Sequence, residues 1–247
     1  DDCWFQLSYT WLIVKFLFPN AMKTCISSEC KETWSIIEPY PVKVFHPFLE
    51  PRFFSKLHAE FPELTELKAL YSVGYKYRVS DGKRGRGEFQ EVIRSRPAWQ
   101  QFYKYVLNGA LLSFATQHFD VLSQRGRIKQ RTEISILPSD GGYITPHPDT
   151  PKKLVTLVIY FAEDDWMPAW GGEFAIVRPK IPTDGIAEYP SIGFDDVELI
   201  YKVPFKPNTA VFMRRTMRSF HAVPPVNAPI GRHRKSVTIN FLGREEK

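Results

Sequence analysis

A histidine and an aspartate two residues apart, His147 and Asp149, form the pair in this chain best suited to hold a metal ion. The pair follows a Gly-Gly turn and precedes an apolar run at residues 154–161. In an extended chain, side chains at positions i and i+2 point to the same side, so one imidazole and one carboxylate reach a single ion. A second imidazole would complete a face of three ligands with open positions for reactants, which suits ferrous iron.

His221 is our candidate for that second imidazole. It follows an apolar stretch at residues 209–213 and a short turn, and a hairpin there would return it to the mouth of a barrel. The other downstream histidine, His233, lies between Arg232 and Arg234, and this cationic neighbourhood disfavours the neutral imidazole that a metal requires. The alternative for His221 is a core histidine with a hydrogen-bonded ring.

Two further histidine and acid pairs have the same spacing, His118 with Asp120 and His58 with Glu60. Both belong to helical patterns. In a helix, side chains at i and i+2 lie on nearly opposite sides and do not share an ion. We therefore predict that neither pair binds a metal.

Arg234 is the candidate for binding a carboxylate next to the metal. The last strand has a polar face and an apolar face, formed respectively by Ser236, Thr238 and Asn240 and by Val237, Ile239 and Phe241. Arg234 has the parity of the polar face, whereas Lys235 points the other way. A guanidinium there could hold a carboxylate through two hydrogen bonds; the alternative is an exposed arginine near the C-terminus.

The same parity argument selects contacts on two other strands. Tyr160 and Thr156 share one face of the apolar run, and Tyr160 could offer its hydroxyl to a bound carboxylate, although a core tyrosine with a satisfied hydroxyl is equally ordinary. If helices cover the outside of a barrel, Arg131 and Glu133 point inward, where charges need a partner or a purpose. We take both as candidate substrate contacts, with a mutual salt bridge as the alternative.

Residues 72–88 are rich in glycine, tyrosine and basic side chains and are predicted to form a mobile loop. A solvated loop is the favoured interpretation, because runs of charge usually mark exposed segments. The alternative is a lid that grips an anionic substrate, and in that case Arg78 is a substrate contact.

Hydrophobic periodicity predicts an α+β protein that is mainly β. Helices are expected at residues 51–61 and, most clearly, 97–118, after a strand at 39–45 that has proline at its edge. Strands are then expected at residues 131–137, 154–161, 173–177, 199–203, 209–213, 220–223 and 236–242, with a surface insert at 178–198. This order suggests a sandwich or jelly roll packed on helices. We expect an N-terminal arm over residues 1–35 and one domain over 36–247, with helical support at 46–120 and the β core at 130–243.

Composition sets broad limits on the class of protein. The 247 residues are 43% hydrophobic, 15% aromatic and 24% charged, as in an ordered globular domain. The net charge of +6 fits an anionic substrate or a nucleic-acid partner, and solubility explains it about as well. Cys3, Cys25 and Cys30 are the three cysteines; they support a zinc site only weakly and favour a reducing, cytoplasmic setting. The apolar run at 11–18 is too short to span a membrane.

Six blocks of the second half, taken as an ordered set, resemble the iron(II)/2-oxoglutarate dioxygenases and most of all their prolyl-hydroxylase-like branch. The blocks are residues 142–149, 154–160, 165–166, 170–174, 220–223 and 234–239. The resemblance implies a double-stranded β-helix, a cupin-like jelly roll, with helices buttressing one sheet. It implies that His147, Asp149 and His221 bind iron and that Arg234 holds the distal carboxylate of 2-oxoglutarate. Leu137 departs from the pattern, since some relatives carry a tyrosine there that helps to hold the co-substrate.

The activity implied by this resemblance is hydroxylation of a C–H bond, with release of succinate and carbon dioxide. Molecular oxygen, a small-molecule or peptidyl substrate that can be anionic, and ascorbate as a reductant would be the partners. Two alternatives stay open. A zinc hydrolase could use the same three ligands, but it needs a general base and has no use for Arg234. A non-catalytic module could bind nucleic acid through the basic loop at 76–86, although no nucleic-acid motif is present.

Overall fold

The computed structural model describes residues 25–71, 74–123, 127–180 and 191–243. The part of the predicted arm before residue 25, with Cys3 and the apolar run at 11–18, lies outside the described residues, as does the middle of the predicted insert at 178–198. None of the helices in the described ranges is long and apolar enough to cross a membrane.

Twelve antiparallel strands in the described ranges form one strongly curled sheet. The strands are β1 Lys31–Ile36, β2 Val42–His46, β3 Lys68–Leu70, β4 Gly74–Ser80, β5 Lys129–Leu137, β6 Tyr143–His147, β7 Lys153–Tyr160, β8 Phe174–Pro179, β9 Val197–Val203, β10 Ala210–Arg214, β11 His221–Val223 and β12 Arg234–Leu242. Their order is β1-β2-β10-β7-β12-β5-β4-β6-β11-β8-β9, with β3 beside β4. The predicted mainly β jelly roll is confirmed.

β4 joins the two halves of the curled sheet. Its residues 77–80 pair with β5, and its residues 74–75 pair with β6. The two ends of the strand order meet on the far side, where the rings of Trp34 on β1 and Tyr201 on β9 stack with centroids 4.2 Å apart. The sheet therefore curls around an interior that side chains from both halves enter.

Five helices cover the outer face of the half that contains β5, β7, β10 and β12. They are α1 Pro51–Ala59, α2 Arg86–Arg94, α3 Pro97–Leu107, α4 Ala110–His118 and α5 Asp120–Ser123. Ile134 and Ile136 of β5 pack under them with the fully buried Trp99 and Phe102, as the parity of β5 predicts. Each such side chain contributes about 1.5–3 kcal/mol when buried. Trp99 also donates through Nε1 to the carbonyl of Leu57 at 3.0 Å, which links α3 to α1.

A second apolar cluster fills one end of the interior. Tyr160, Phe174, Phe205 and Val211 belong to it. Val158 packs against this cluster, and Val158 and Phe174 also line a polar cavity further along the interior. The packed end thus forms the floor of the cavity.

Several predicted elements differ from the observed ones. The predicted helix at 97–118 is two helices, because Gly109 adopts a left-handed φ of +84°, a conformation that ends an α-helix. The predicted mobile loop at 72–88 is wrong, since it contains β4 and the start of α2. The strand predicted at 39–45 begins later, at Val42, directly after Pro41.

Candidate metal centre

His147, Asp149 and His221 converge at one end of β6 and β11. His147 is the last residue of β6, Asp149 follows two residues later, and His221 is the first residue of β11. His147 and His221 are direct partners in the pairing of these antiparallel strands. One ligand atom from each of the three residues lies within 4.8 Å of the others, so all three can contact the same ion.

The two imidazoles present free Nε2 atoms to the space between them. His147 donates through Nδ1 to the carbonyl of Thr145 at 2.7 Å, and His221 donates through Nδ1 to the carbonyl of Ser219 at 2.9 Å. A carbonyl only accepts, so Nδ1 carries the proton and Nε2 keeps its lone pair for a metal. Burial lowers the pKa of His147 to about 3 and also lowers the pKa of His221, so both rings are neutral.

Asp149 is ionised and held from both of its oxygens. Thr156 donates through Oγ1 to Oδ2 at 2.7 Å, and Lys153 forms an ion pair with Oδ1. Burial on its own would raise the pKa of Asp149, but the ion pair with Lys153 outweighs burial and holds this pKa well below its usual range. Two neutral imidazoles and one carboxylate are a donor set that fits Fe(II) and leaves coordination positions open.

The cavity next to these residues has a volume of about 320 Å³, and Arg234 is part of its wall. Arg234 is 2% exposed. It donates through Nε to the carbonyl of Gly172 at 2.8 Å and through Nη1 to Oγ of Ser236 at 2.9 Å. Gly172 has a φ of +90°, and a Cβ there would lie 3.4 Å from Cγ of Arg234. The glycine thus lets its loop fold closely over the arginine side chain.

No carboxylate in the described part of the chain forms an ion pair with Arg234, whose hydrogen bonds include those to the carbonyl of Gly172 and the hydroxyl of Ser236. Its guanidinium carbon lies 5.3 Å from the ring centroid of Tyr160 and 5.1 Å from that of Phe205. Burial lowers the pKa of Arg234, while Tyr160 and Glu173 oppose the shift. A buried cation of this kind favours an anionic ligand in the cavity.

The two other candidate co-substrate residues have partners of their own. Thr156 lines the cavity, but its hydroxyl is engaged by Asp149 and lies 3.3 Å from Oδ1 of Asn240. Tyr160 is fully buried, and its hydroxyl accepts from the backbone N–H of Phe174 at 3.2 Å. Thr156 therefore supports Asp149, and Tyr160 supports Arg234. A direct contact of either with a co-substrate stays a prediction.

The candidate substrate residues form a network that differs from the sequence-based alternative. Glu133 is bound by Lys76 at 2.7 Å and by Arg78, not by Arg131. Burial would raise the pKa of Glu133, but these two cations lower it to about 2. Arg131 is exposed and lies against Gly82. Lys76 is not among the residues selected from the sequence, although its spacing of two from Arg78 indicates that both side chains leave a strand on the same side.

The remaining histidine candidates lie away from the metal centre. His233 accepts at Nδ1 from the backbone N–H of Ser139 at 3.0 Å, and the ring of His118 packs 4.7 Å from that of Phe45. In the described ranges, the only group of three or more potential ligands is the one around His147. Leu137 is buried and lies directly opposite Arg234 in the pairing of β5 with β12.

Comparison with known proteins gives an independent line of support. Residues 101–242, more than half of the chain, match the profile of the 2OG-Fe(II) oxygenase superfamily. A Pseudomonas putida prolyl-4-hydroxylase is similar in structure, with a TM-score of 0.54, 18% identity, and coverage of 82% of this chain and 92% of that one. A Trichoplax adhaerens prolyl hydroxylase, solved with a hypoxia inducible factor peptide fragment, is also similar. Its TM-score is 0.51 and its sequence identity 14%, and the match covers 82% of this chain and 83% of that one. No curated protein shows a significant sequence match. At these identities the structural likeness concerns the fold.

Proposed function

The chain belongs to the 2OG-Fe(II) oxygenase superfamily, and from this we propose that His147, Asp149 and His221 bind its iron and that Arg234 binds the distal carboxylate of 2-oxoglutarate. The protein is an Fe(II)- and 2-oxoglutarate-dependent oxygenase, a hydroxylase that uses molecular oxygen. The observation that carries the residue assignment is the arrangement of one cavity, with three metal donors at one end and a buried guanidinium in its wall.

When bound, iron and 2-oxoglutarate supply oxygen activation, which is coupled to loss of carbon dioxide and to oxidation of a C–H bond. The chain orients the reactants. The carbonyls of Thr145 and Ser219 fix the tautomers of the ligand imidazoles. The ring of Phe174 stacks on that of His221 with centroids 5.1 Å apart and limits its rotation.

The same residues set the polarity of the cavity. Thr156 and Lys153 keep Asp149 ionised and aimed into the cavity. The apolar cluster that includes Phe174 excludes water from the floor of the cavity. This exclusion strengthens the attraction between Arg234 and a bound carboxylate. A zinc hydrolase built on the same three residues would leave this buried guanidinium without a purpose, so Arg234 supports the oxygenase assignment. Use of ascorbate as a reductant stays a prediction.

Anaerobic addition of Fe(II) and then 2-oxoglutarate to the purified full chain tests the assignment. We expect a visible charge-transfer band in the wild type, none in His147→Ala, and an unchanged band in His233→Ala, whose ring contacts Ser139 instead. A wild type without the band, or a His147→Ala variant that keeps it, would contradict the metal assignment.

A further inference from the structure

A second cavity, of about 510 Å³, opens directly beside the metal cavity. The two share five lining residues, Leu70, Arg78, Glu133, Lys153 and Asn240. They are therefore parts of one cleft. We call the outer part the basic groove and define its charged residues as Lys68, Arg78, Lys83, Arg84, Glu88, Arg131, Glu133 and Lys153.

The basic groove carries an excess of positive charge that its own carboxylates do not neutralise. Six of its charged residues are cations and two are carboxylates. Glu88 binds Lys68 at 2.6 Å, and Glu133 binds both Arg78 and the buried Lys76. Three groove cations form no ion pair with a carboxylate in the described ranges; they are Lys83, Arg84 and Arg131. A concave surface of one sign concentrates its field and attracts the opposite charge.

The loop that carries Lys83 and Arg84 is held in place by hydrogen bonds of the preceding residue Asp81. Asp81 is buried and accepts from the backbone N–H of Thr132 at 2.9 Å and from the hydroxyl of Tyr103 at 3.1 Å. The backbone N–H of Asp81 donates to the carbonyl of Thr132 at 3.1 Å. These bonds tie the start of the loop to β5 and α3, so the backbone next to Lys83 and Arg84 is ordered before any ligand arrives, which reduces the entropy lost on binding.

The part of the groove formed by β4 and β5 is held by ion pairs. Arg78 and Lys76 leave β4 on the same side, and Glu133 on the neighbouring β5 binds both. One buried carboxylate between two cations leaves this cluster with a net positive charge. Arg131 packs against Gly82, where an added Cβ would lie 3.4 Å from its Nε. Cations from three separate chain segments thus surround one space.

We propose that the basic groove binds the phosphoryl group of a small phosphorylated substrate and so places the rest of that molecule over the metal centre. This inference rests on the proposed function. A phosphoryl dianion has three acceptor oxygens and suits several cations from different directions, whereas a single guanidinium satisfies a carboxylate. Lys153 borders the groove and also contacts Asp149, so the groove begins one lysine side chain away from a proposed metal ligand.

The shape of the groove favours a small molecule over a polynucleotide. Its cations line a concave space that continues inward to the metal cavity, whereas nucleic acid is usually bound by a basic stripe along an exposed surface. Its volume of about 510 Å³ lies within the ordinary range for small-ligand sites.

Calorimetric titration of the full chain with glucose 6-phosphate, and with glucose as the neutral counterpart, tests the proposal. Glucose 6-phosphate serves as a probe of the phosphoryl group. We expect it to bind the wild type and glucose not to bind. The Lys83→Ala/Arg84→Ala double variant and Arg131→Ala should each weaken binding roughly tenfold or more, because charge-assisted hydrogen bonds are lost. The control is Arg52→Ala/Lys56→Ala, which removes two exposed charges of α1 that lie outside the groove and should bind as the wild type does.

Three results would overturn the proposal. The first is equal binding of glucose and glucose 6-phosphate. The second is unchanged binding by both groove variants when their thermal unfolding matches that of the wild type. The third is tighter binding of an oligothymidylate with steep salt dependence, which would indicate a nucleic-acid partner. The titration is done without iron, so its outcome is independent of the charge-transfer band. Binding of glucose 6-phosphate without the charge-transfer band would support the groove and contradict the proposed metal centre. The band without binding of glucose 6-phosphate would support the metal centre and contradict the groove.

Discussion

Arg234 and Lys235 are consecutive residues of β12 whose side chains leave the strand on opposite sides. Arg234 enters the metal cavity, whereas Nζ of Lys235 lies 5.9 Å from the ring centroid of Phe61 on the helical side and 3.6 Å from Glu163. One residue of register therefore decides which cation can reach a ligand.

Arg234→Ala should weaken 2-oxoglutarate binding roughly a hundredfold, because up to two charge-assisted hydrogen bonds are lost. Metal affinity should change little. The two affinities are measured separately, by titrating Mn(II) and then 2-oxoglutarate. Lys235→Ala is the matched control and should bind both ligands normally. Equal losses of metal and 2-oxoglutarate affinity in Arg234→Ala would mean that the arginine supports the fold and does not bind the carboxylate.

Thr156→Val should lower metal affinity by about 10- to 100-fold, because Asp149 loses the donor that orients it. The substitution keeps the shape of the side chain, because a methyl group replaces the hydroxyl. Thr132→Val is the control, since Oγ1 of the equally buried Thr132 has no hydrogen-bond partner among the described residues. That variant should bind metal normally and be at least as stable as the wild type, because it removes a buried hydroxyl that has no partner. Identical behaviour of the two variants would refute a positioning role for Thr156.

A redox-inert divalent ion such as Zn(II) should stabilise the wild type against heat. An ion at a hundredfold excess over its Kd adds about 2.7 kcal/mol, which corresponds to roughly 5 °C or more for a chain of this size. His221→Ala should lose this shift in melting temperature. His118→Ala should keep it, although His118 belongs to a sequence pair of the same spacing. An undiminished shift in His221→Ala would place the metal elsewhere.

Glu133 should contribute stability that acid removes. Its pKa is lowered from 4.5 to about 2, so its contribution is fully present above a pH of about 4.5 and is lost as the pH falls through about 2. The difference in free energy of unfolding between wild type and Glu133→Gln, at most about 3 kcal/mol from this shift, should therefore shrink on acidification. Urea unfolding at successive pH values measures it. Glu91→Gln, which removes an exposed ion pair with Arg94, should show no comparable trend.

The strands of the second half could be predicted because their two faces differ in polarity. On β12 the alternation from Arg234 to Phe241 was correct, since its apolar side meets the helices and its polar side lines the cavity. The same logic failed for β4. The charge run predicts a solvated loop for Lys76 and Arg78, yet both line a cleft and are neutralised in part by Glu133, a residue far away in the sequence.

The proximity of His221 to His147 could not be derived from local pattern. It depends on the pairing of β11 with β6, and such long-range register is set by the whole sheet. Local periodicity also missed the break at Gly109, because the apolar stripe of α3 continues into α4. The hydroxyl partners of Thr156 and Tyr160 likewise become visible only once neighbouring strands are in place.

On the proposed assignment, the buried guanidinium of Arg234 links the supply of 2-oxoglutarate to the stability of the protein. A buried charge without an anion weakens the folded state, and a ligand that neutralises it shifts the balance away from unfolded chains. Chains that open are the ones that proteases degrade, so small differences in folding free energy change cellular abundance. When 2-oxoglutarate is scarce in a cell, we therefore expect this enzyme to be less abundant as well as less active.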